Sequence, residues 1–305
     1  MYHIKRILVC LDGSEIDDAL LNYTSALYDK TSVEQIYFLH VVKKLEIPKE
    51  ISKKYPDLLA PIDETIKKNF LYGIQQFENL KEDNFSLDVL EGNVTETILK
   101  YAHVKNVDLI VIGKKSGLAG SGVVDRRVTR IAHCSVALIP ESLPEKLQRI
   151  VVPVDYSETS MMSLQQAIYI ARKNEFPEIM CVHTYSVPSG YHTTGKSFDQ
   201  FAEIMKENAR REYETYTESL DTKGVKITCH YVLDEHNNPA EKIYQFAVKQ
   251  KANLIVLGSK GRTAMASIIL GSVSEKVINY NKHLPMMVVK DKARNMDFVD
   301  ALLKV

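Results

Sequence analysis

The sequence predicts an α/β protein of two tandem domains, each with a five-stranded, doubly wound parallel sheet of the Rossmann-like type. Residues 5–14 (KRILVCLDGS) recur as 148–157 (QRIVVPVDYS), and 108–113 (DLIVIG) recur as 253–258 (NLIVLG). A repeat at this distance is far too long for a solenoid, so it indicates two similar domains in series. Within each half, apolar strand-like runs alternate with helical patterns, which predicts parallel strands with helices on both faces.

The first half opens with an apolar run at 5–11, typical of a strand buried on both faces of a parallel sheet. Ser14 follows and suits the start of a helix that runs to about Asp29. A polar segment interrupted by prolines comes after the second strand. The remaining patterns predict strands at 34–42, 85–90, 108–112 and 135–139, and helices at 61–82, 94–104 and 124–133.

The second half repeats this series. Strands are predicted at 149–154, 178–184, 225–233, 253–257 and 285–290, and helices at 157–173, 198–221, 239–250 and 272–281. We therefore place one domain at 1–141, a second at 147–291 and a tail at 292–305. The tail has apolar residues at helical spacing and should pack on a domain or a neighbouring subunit. Membrane attachment is the weaker alternative because this segment is short and barely basic.

Composition disfavours several classes of partner. The 305 residues contain 39 basic and 39 acidic side chains, so no net charge draws the chain to nucleic acid or an anionic membrane. The start lacks the long apolar core of a signal peptide and no 18-residue apolar run occurs, which predicts a cytoplasmic protein. Four scattered cysteines favour buried free thiols. Zinc held by Cys181, His183, Cys229 and His230 is a poor alternative, because structural zinc sites usually have tighter ligand pairs.

The stretch 254–275 is the most informative one. An apolar strand ends at Gly258, and the spacing G-x2-G-x9-G-S leads through Gly261 and Gly271 to a helix with Ser272 as its predicted N-cap. Gly261 is expected to permit a turn with positive φ. A helix N-terminus attracts phosphate, and glycines let the backbone approach it closely. In the alternative interpretation, Ser272 and Glu275 form only a capping box, and the glycines merely turn the chain.

Two polar residues should share the switch point of the second sheet with this loop, at the carboxyl ends of the strands. Asp155 follows the first strand and could accept a hydrogen bond from an adenine amino group or a ribose hydroxyl. Equally, it could cap the helix that starts near Ser157. His183 ends the second strand and is expected to pack there rather than catalyse, because the sequence shows no nucleophile with an orienting acid.

With R-I-x-V-x-x-D opening each half, His at the end of the second strand and the glycine pattern after the fourth, the chain resembles the universal stress protein family in its two-domain form. Members similar in this loop bind ATP in a flavodoxin-like fold. The resemblance implies that Asp155 and the Thr184 backbone contact adenine and that Pro153 and Val154 line its pocket. It places Gly258, Lys260 and Gly261 along the ribose and phosphates, and Gly271, Ser272, Val273 and Ser274 at the triphosphate.

The first half departs from this pattern. Asp12 and Val41 match the adenine end and Gly113 matches Gly258, but the next glycine, Gly117, comes one place late. At the helix start, Asp125-Arg126 is expected to replace Gly271-Ser272. A carboxylate there would repel phosphate at a cost of about 1 kcal/mol or more, although Arg126 and Arg127 could offset this for a different anion. The first domain is therefore predicted to be a degenerate scaffold, with 117–122 as a mobile loop.

The resemblance implies an ATP-binding stress-response sensor or switch, in which nucleotide orders 259–270 and changes the surface shown to a protein partner. One alternative is a slow ATP hydrolase or phosphotransferase using Mg²⁺, although the sequence offers no clear carboxylate to hold that ion. Another is a nucleotide-free interaction protein. Residues 136–139 and 286–289 would be unpaired edge strands, so we expect them to pair and form an intramolecular pseudo-dimer. A homodimer is a further possibility.

Overall fold

The computed structural model describes residues 4–30, 32–43, 54, 62–80, 82–115, 122–143, 148–174, 178–261 and 270–296. The chain divides into two compact units. The first unit comprises His3–Leu143 with Lys292–Val305, and the second comprises Met1–Tyr2 with Pro144–Asp291.

The first unit has five strands and four helices of nine residues or more among its described residues, besides short helical stretches at 82–84 and 292–296. The strands are β1 (Arg6–Leu11), β2 (Gln35–Val42), β3 (Phe85–Glu91), β4 (Leu109–Lys114) and β5 (Ser135–Pro140). The helices are α1 (Ile16–Lys30), α2 (Ile62–Gln75), α3 (Val94–Val104) and α4 (Val123–Ile131). The strands are all parallel in the order β3-β2-β1-β4-β5. Ile7, Leu8 and Val9 at the centre of the sheet are fully buried, as a strand covered on both faces requires.

The second unit repeats this arrangement. Its strands are β6 (Ile150–Pro153), β7 (Glu178–Tyr185), β8 (Lys226–Leu233), β9 (Leu254–Gly258) and β10 (Met286–Val289). Its helices are α5 (Glu158–Lys173), α6 (Phe198–Thr217), α7 (Pro239–Lys249) and α8 (Ser272–Tyr280). The parallel order is β8-β7-β6-β9-β10. The predicted doubly wound α/β fold is confirmed in both units, and the order reverses beside β1 in one and beside β6 in the other.

The structure also bears on the cysteines, the tail and the expected lack of membrane spans. Cys10, Cys134 and Cys181 are buried free thiols, and Cys229 is a half-buried one. The tail begins with helical residues 292–296, and the expected apolar positions beyond Met296 lie outside the described residues. A short 3-10 helix at Ser189–Thr194 was not predicted. In the part of the chain that the structure describes, no helix has the length and apolar character needed to cross a membrane.

The start of the tail packs on the first unit. Lys292 forms an ion pair with Asp108, with 2.6 Å between Nζ and Oδ1, and both side chains are mostly buried. The same ammonium donates to the Asn106 carbonyl at 2.7 Å. Asn295 is buried and its side-chain amide donates to the His133 carbonyl at 3.3 Å. These contacts make the tail part of the first unit, although it follows the second in sequence.

Candidate functional site

A cavity of about 440 Å³ lies at the carboxyl ends of β6, β7 and β9 in the second unit. This is the switch point of the sheet, where ligands of open α/β folds bind. All eleven residues predicted for the site line this cavity, namely Pro153, Val154, Asp155, Thr184, Gly258, Lys260, Gly261, Gly271, Ser272, Val273 and Ser274. The structure thus brings together residues that span 122 positions of the sequence.

Asp155 is held in place by the residue that caps the next helix. Its Oδ1 accepts hydrogen bonds from the Ser157 N–H at 3.1 Å and from the Ser157 hydroxyl at 2.6 Å. The Ser157 side chain is the N-cap of α5 and accepts from the Ser160 N–H. Asp155 is therefore not the cap itself. Its carboxylate is oriented at the mouth of the cavity, where it remains able to accept a bond from a ligand.

His183, near the end of β7, packs against the turn that contains Asp155. His183 Nδ1 lies 2.9 Å from the Val154 carbonyl oxygen, and the imidazole ring stacks on Tyr156 with 4.4 Å between ring centroids. His183 is thus a packing residue, as the sequence predicted. The equivalent His40 in the first unit makes the same contact with the Leu11 carbonyl, also at 2.9 Å.

The loop after β9 is anchored to α5. The Thr159 hydroxyl donates to the Lys260 carbonyl at 2.5 Å. A Cβ built on Gly258 would lie 2.9 Å from the backbone C and O atoms of Thr159, which is closer than real side chains approach. Glycine at 258 therefore allows the strand end and the helix to touch.

Gly261 serves a different purpose from the predicted one. The sequence suggested a turn with positive φ, but Gly261 does not adopt that conformation. A Cβ at this position would instead lie 2.8 Å from Asp155 Oδ2. The missing side chain leaves room for the carboxylate, so the predicted positive φ was wrong, and a glycine is needed here because of this close approach.

The start of α8 also differs from the prediction. The helix begins at Ser272, and Gly271 is in the N-cap position with φ −63° and ψ 146°. Among the described residues no side chain caps this helix, so the Ser272–Glu275 capping box is absent. The first backbone bond within the helix runs from the Glu275 N–H to the Gly271 carbonyl at 2.9 Å. The N–H groups of 272–274 therefore have no acceptor within the helix. Together with the positive end of the helix dipole, they can attract an anion.

Ser274 is partly committed to the protein itself. Its hydroxyl donates to the Gly258 carbonyl at 2.7 Å, and the residue is buried. The hydroxyl proton is thus used to hold the strand end against the helix, whereas the backbone N–H and the oxygen lone pairs are not used in this bond.

Sequence reasoning missed the apolar wall of the cavity. Further lining residues are Ser160, Val182, Pro239, Ile243, Leu257 and Val277. Pro239 and Ile243 belong to α7, whose sequence pattern indicated only an amphipathic helix. The signal that could have found them is the internal repeat, because Pro239 and Ile243 recur as Val94 and Ile98 at the same places of the first half.

That second cavity, of about 280 Å³, lies at the matching place in the first unit and is lined by Asp12, Val41, Gly113 and Asp125 among others. The predicted alignment of its helix was wrong. Helices α4 and α8 both have nine residues, with Gly122 and Gly271 as N-caps. Asp125 therefore corresponds to Ser274, three places from the predicted Gly271. The expected loop at 117–121 lies outside the described residues, and Gly122 has φ 84°.

The helix end of this cavity holds buried charges. Asp125 is 4% exposed, and burial raises the pKa of its carboxyl despite the nearby Lys114 ammonium. Burial likewise lowers the pKa of Lys114 to about 8. At the mouth, Lys115 Nζ lies 2.6 Å from Asp12 Oδ2. Burial alone would raise the pKa of Asp12, but the hydrogen bonds from Lys115 and Ser14 lower it below its usual range.

Asp17 of the first unit should titrate well above an ordinary aspartate. Its carboxylate accepts from the Asp12 and Gly13 N–H groups at 3.1 and 2.8 Å, yet burial raises its pKa to about 6. Because the folded pKa exceeds the unfolded one, the stabilising contribution is complete below about pH 4 and is lost as pH rises through about 6. The full loss is about 3 kcal/mol at most.

Carbon-13 NMR of the side-chain carboxyls should therefore show a midpoint near 6 that disappears in Asp17→Asn. The same variant should lose part of the decline in the free energy of unfolding between about pH 4 and 6. A midpoint for Asp17 below about 4.5 would contradict this prediction.

Comparison with known proteins agrees with the internal repeat. The sequence model of the universal stress protein family matches residues 3–140 and again residues 146–290. Universal stress protein MJ0531 of Methanocaldococcus jannaschii is 36% identical over 145 residues, which cover 47% of this chain and 82% of that protein. Universal stress protein MJ0577 of the same organism is 28% identical over 160 residues, covering 48% of this chain and 96% of that protein.

Solved structures show the same fold over almost the whole length. A universal stress protein from Archaeoglobus fulgidus superposes with a TM-score of 0.67 at 21% identity, covering 93% of this chain and 98% of that one. A Pseudomonas aeruginosa protein described as functionally unknown, PA1789, also gives 0.67, at 15% identity and covering 99% and 97% of the two chains. Since the family model accounts for both halves, the chain belongs to the universal stress protein family, in its tandem form.

Proposed function

We propose that the second unit binds ATP and that the protein acts as a nucleotide-dependent sensor or switch in the stress response. The observation that carries the proposal is the N-terminus of α8, which opens into the 440 Å³ cavity without a side-chain cap among the described residues. Its free N–H groups, the positive end of the helix dipole and the Lys260 side chain can together hold a triphosphate.

The other end of the cavity suits a purine ring and its sugar. Pro153, Val182 and Ile243 supply apolar walls, and the Asp155 carboxylate supplies an acceptor for an amino group or a hydroxyl. The volume falls within the range of about 300–1,000 Å³ that small-molecule sites occupy. An apolar compartment next to a phosphate-binding helix end matches the two halves of a nucleotide.

The lining also supports a sensor over a hydrolase. Asp155 is the one carboxylate among the described residues that line the cavity, and Ser157 holds one of its oxygens. Mg²⁺ in phosphoryl-transfer sites is bound by one or two carboxylates together with the phosphates, and a further group positions the attacking oxygen. We therefore treat Mg²⁺ as an ion that accompanies the nucleotide, and slow hydrolysis or phosphotransfer as the second candidate.

The proposed switch uses the loop between β9 and α8. Lys260 and Gly261 lie at its start and Gly271 lies at its end, and all three line the cavity. In this proposal, a nucleotide that contacts both ends favours one of two arrangements of residues 259–270 and thereby changes the surface offered to a protein partner; residues 262–269 lie outside the described residues. The ligand can shift this equilibrium only by its difference in affinity for the two arrangements.

Calorimetric titration of the full chain with ATP and Mg²⁺ is expected to give one nucleotide per chain. The purified protein should also be denatured and any adenine compound released from it identified by chromatography. Binding without release of ADP over hours supports the sensor, and turnover at saturating ATP supports the hydrolase. Two equivalent ATP sites would contradict the assignment to the second unit, and no binding would favour a nucleotide-free interaction protein.

A further inference from the structure

The cavity of the first unit keeps the apolar end of the second cavity. Val94 and Ile98 on α3 occupy the places that Pro239 and Ile243 hold on α7, and each pair lines its own cavity. The walls that would contact a flat heterocycle are therefore apolar in both units.

The acid at the mouth is also held in the same way. Asp12 Oδ1 accepts from the Ser14 N–H and hydroxyl at 3.0 and 2.5 Å. The corresponding distances from Ser157 to Asp155 are 3.1 and 2.6 Å. Asp12 Oδ2 binds Lys115, but an ionised carboxylate has about four acceptor positions, so Asp12 can still accept a bond from a ligand.

The helix end is where the two cavities differ. Val123 stands where the second unit has Ser272, and Asp125 stands where it has Ser274. The buried Asp125 carboxylate lies in the first turn of α4 and would repel a phosphate there. Lys115, the counterpart of Lys260, is paired with Asp12. The cavity is also smaller, at about 280 Å³ against 440 Å³.

We propose that the first unit is a second ligand site, which takes an unphosphorylated purine nucleoside and rejects its phosphates. This inference rests on the proposed function, because it assigns the retained apolar end to a purine ring. Asp12 accepts from the base amino group or a sugar hydroxyl, Val94 and Ile98 pack on the ring, and Asp125 closes the space that a phosphate would need. The chain then carries one phosphorylated and one unphosphorylated purine.

The test is equilibrium dialysis of the full chain with tritiated adenosine, in the absence and presence of saturating ATP. One adenosine per chain should remain bound when ATP fills the second unit. Asp12→Ala should weaken this binding at least tenfold and leave the ATP stoichiometry unchanged. The matched variant Asp155→Ala should weaken ATP binding and leave the ATP-resistant adenosine site intact. A thermal unfolding profile of Asp12→Ala that keeps the transition of the first unit shows that this unit is still folded, and retained ATP binding shows the same for the second unit.

Complete displacement of adenosine by ATP, or loss of adenosine only in Asp155→Ala, would place all binding in the second unit and overturn the proposal. Absence of adenosine binding up to millimolar concentration would overturn it as well, and so would a second ATP bound at the first unit. If ATP fails to bind at all, the proposed function falls, whereas an adenosine site sensitive to Asp12→Ala and resistant to Asp155→Ala would still support the second site.

Discussion

Replacing Gly271 with aspartate is expected to abolish ATP binding by the second unit without lowering its unfolding temperature. The backbone at Gly271 has φ −63° and ψ 146°, which any residue can adopt and which suits an N-cap. A Cβ there would lie no closer than 3.4 Å to its neighbours, an ordinary contact. The new carboxylate would cap the N–H groups that phosphate needs and would repel the phosphate itself.

The expected loss of affinity exceeds about a hundredfold, since each 1.4 kcal/mol removed costs a factor of ten and at least two such contributions disappear. Gly271→Ala adds a side chain without a cap or a charge and should bind within a few-fold of the parent. Gly271→Asn adds the cap without the charge and should fall between the two. An aspartate variant that binds ATP as well as the alanine variant would show that this helix end is not the phosphate site.

Gly258→Ala should have the largest effect on stability. The added Cβ would meet the Thr159 backbone at 2.9 Å, and backbone atoms cannot move aside by changing a rotamer. Overpacking of this kind costs about 1–3 kcal/mol. The unfolding temperature of the second unit should fall by about 3–10 °C. The affinity for ATP should fall too, because the Gly258 carbonyl accepts the hydrogen bond from the Ser274 hydroxyl that holds strand β9 against α8.

Gly113→Ala is the matched control in the first unit. There the closest atom to an added Cβ is the end of the Ile16 side chain, which can shift more easily than a main chain. This variant should cost less stability and leave ATP binding unchanged. Differential scanning calorimetry measures the change in unfolding temperature that each substitution causes. Where the two units unfold separately, each transition is assigned to the unit whose substitution shifts it. Equal losses from the two substitutions would contradict the backbone contact as the cause.

The sequence alone was sufficient for the fold and for eleven of the residues that line the cavity, but not for its apolar wall. Buried parallel strands are continuous apolar runs, so β4 and β9 could be recognised with bounds close to those observed. The repeat then aligned Asp155 with Asp12 and Gly258 with Gly113. Both pairs stand at strand ends, where the alternation of elements leaves little freedom of placement.

Roles that depend on contacts between distant residues could not be predicted. A glycine that leaves room for another side chain, as Gly261 does for Asp155, looks the same in the sequence as a glycine that adopts positive φ. An S-x-x-E pattern at Ser272 fits a capping box, yet the hydroxyl does not cap. The register of α4 was mistaken because the two loops differ in length, and several glycines before α4 offered competing alignments.

The ion pair between Lys292 and Asp108 affects the order in which the chain can mature on the ribosome. Asp108 accepts from the Lys5 and Arg6 N–H groups at 2.9 Å each. The second unit makes the corresponding bonds with the neutral Asn253. The first unit thus has a negative charge, on Asp108, where the second unit has none. The Lys292 ammonium that pairs with this charge is translated only after the whole second unit.

At synthesis rates of about 5–20 residues per second, the first unit waits roughly seven to thirty seconds for this lysine. During that interval the Asp108 carboxylate lacks the cation that it binds in the finished protein. A nascent chain released early, within the second unit, would carry a weakened first unit as well. Only translation to the end of β10 and beyond completes the domain that was started first.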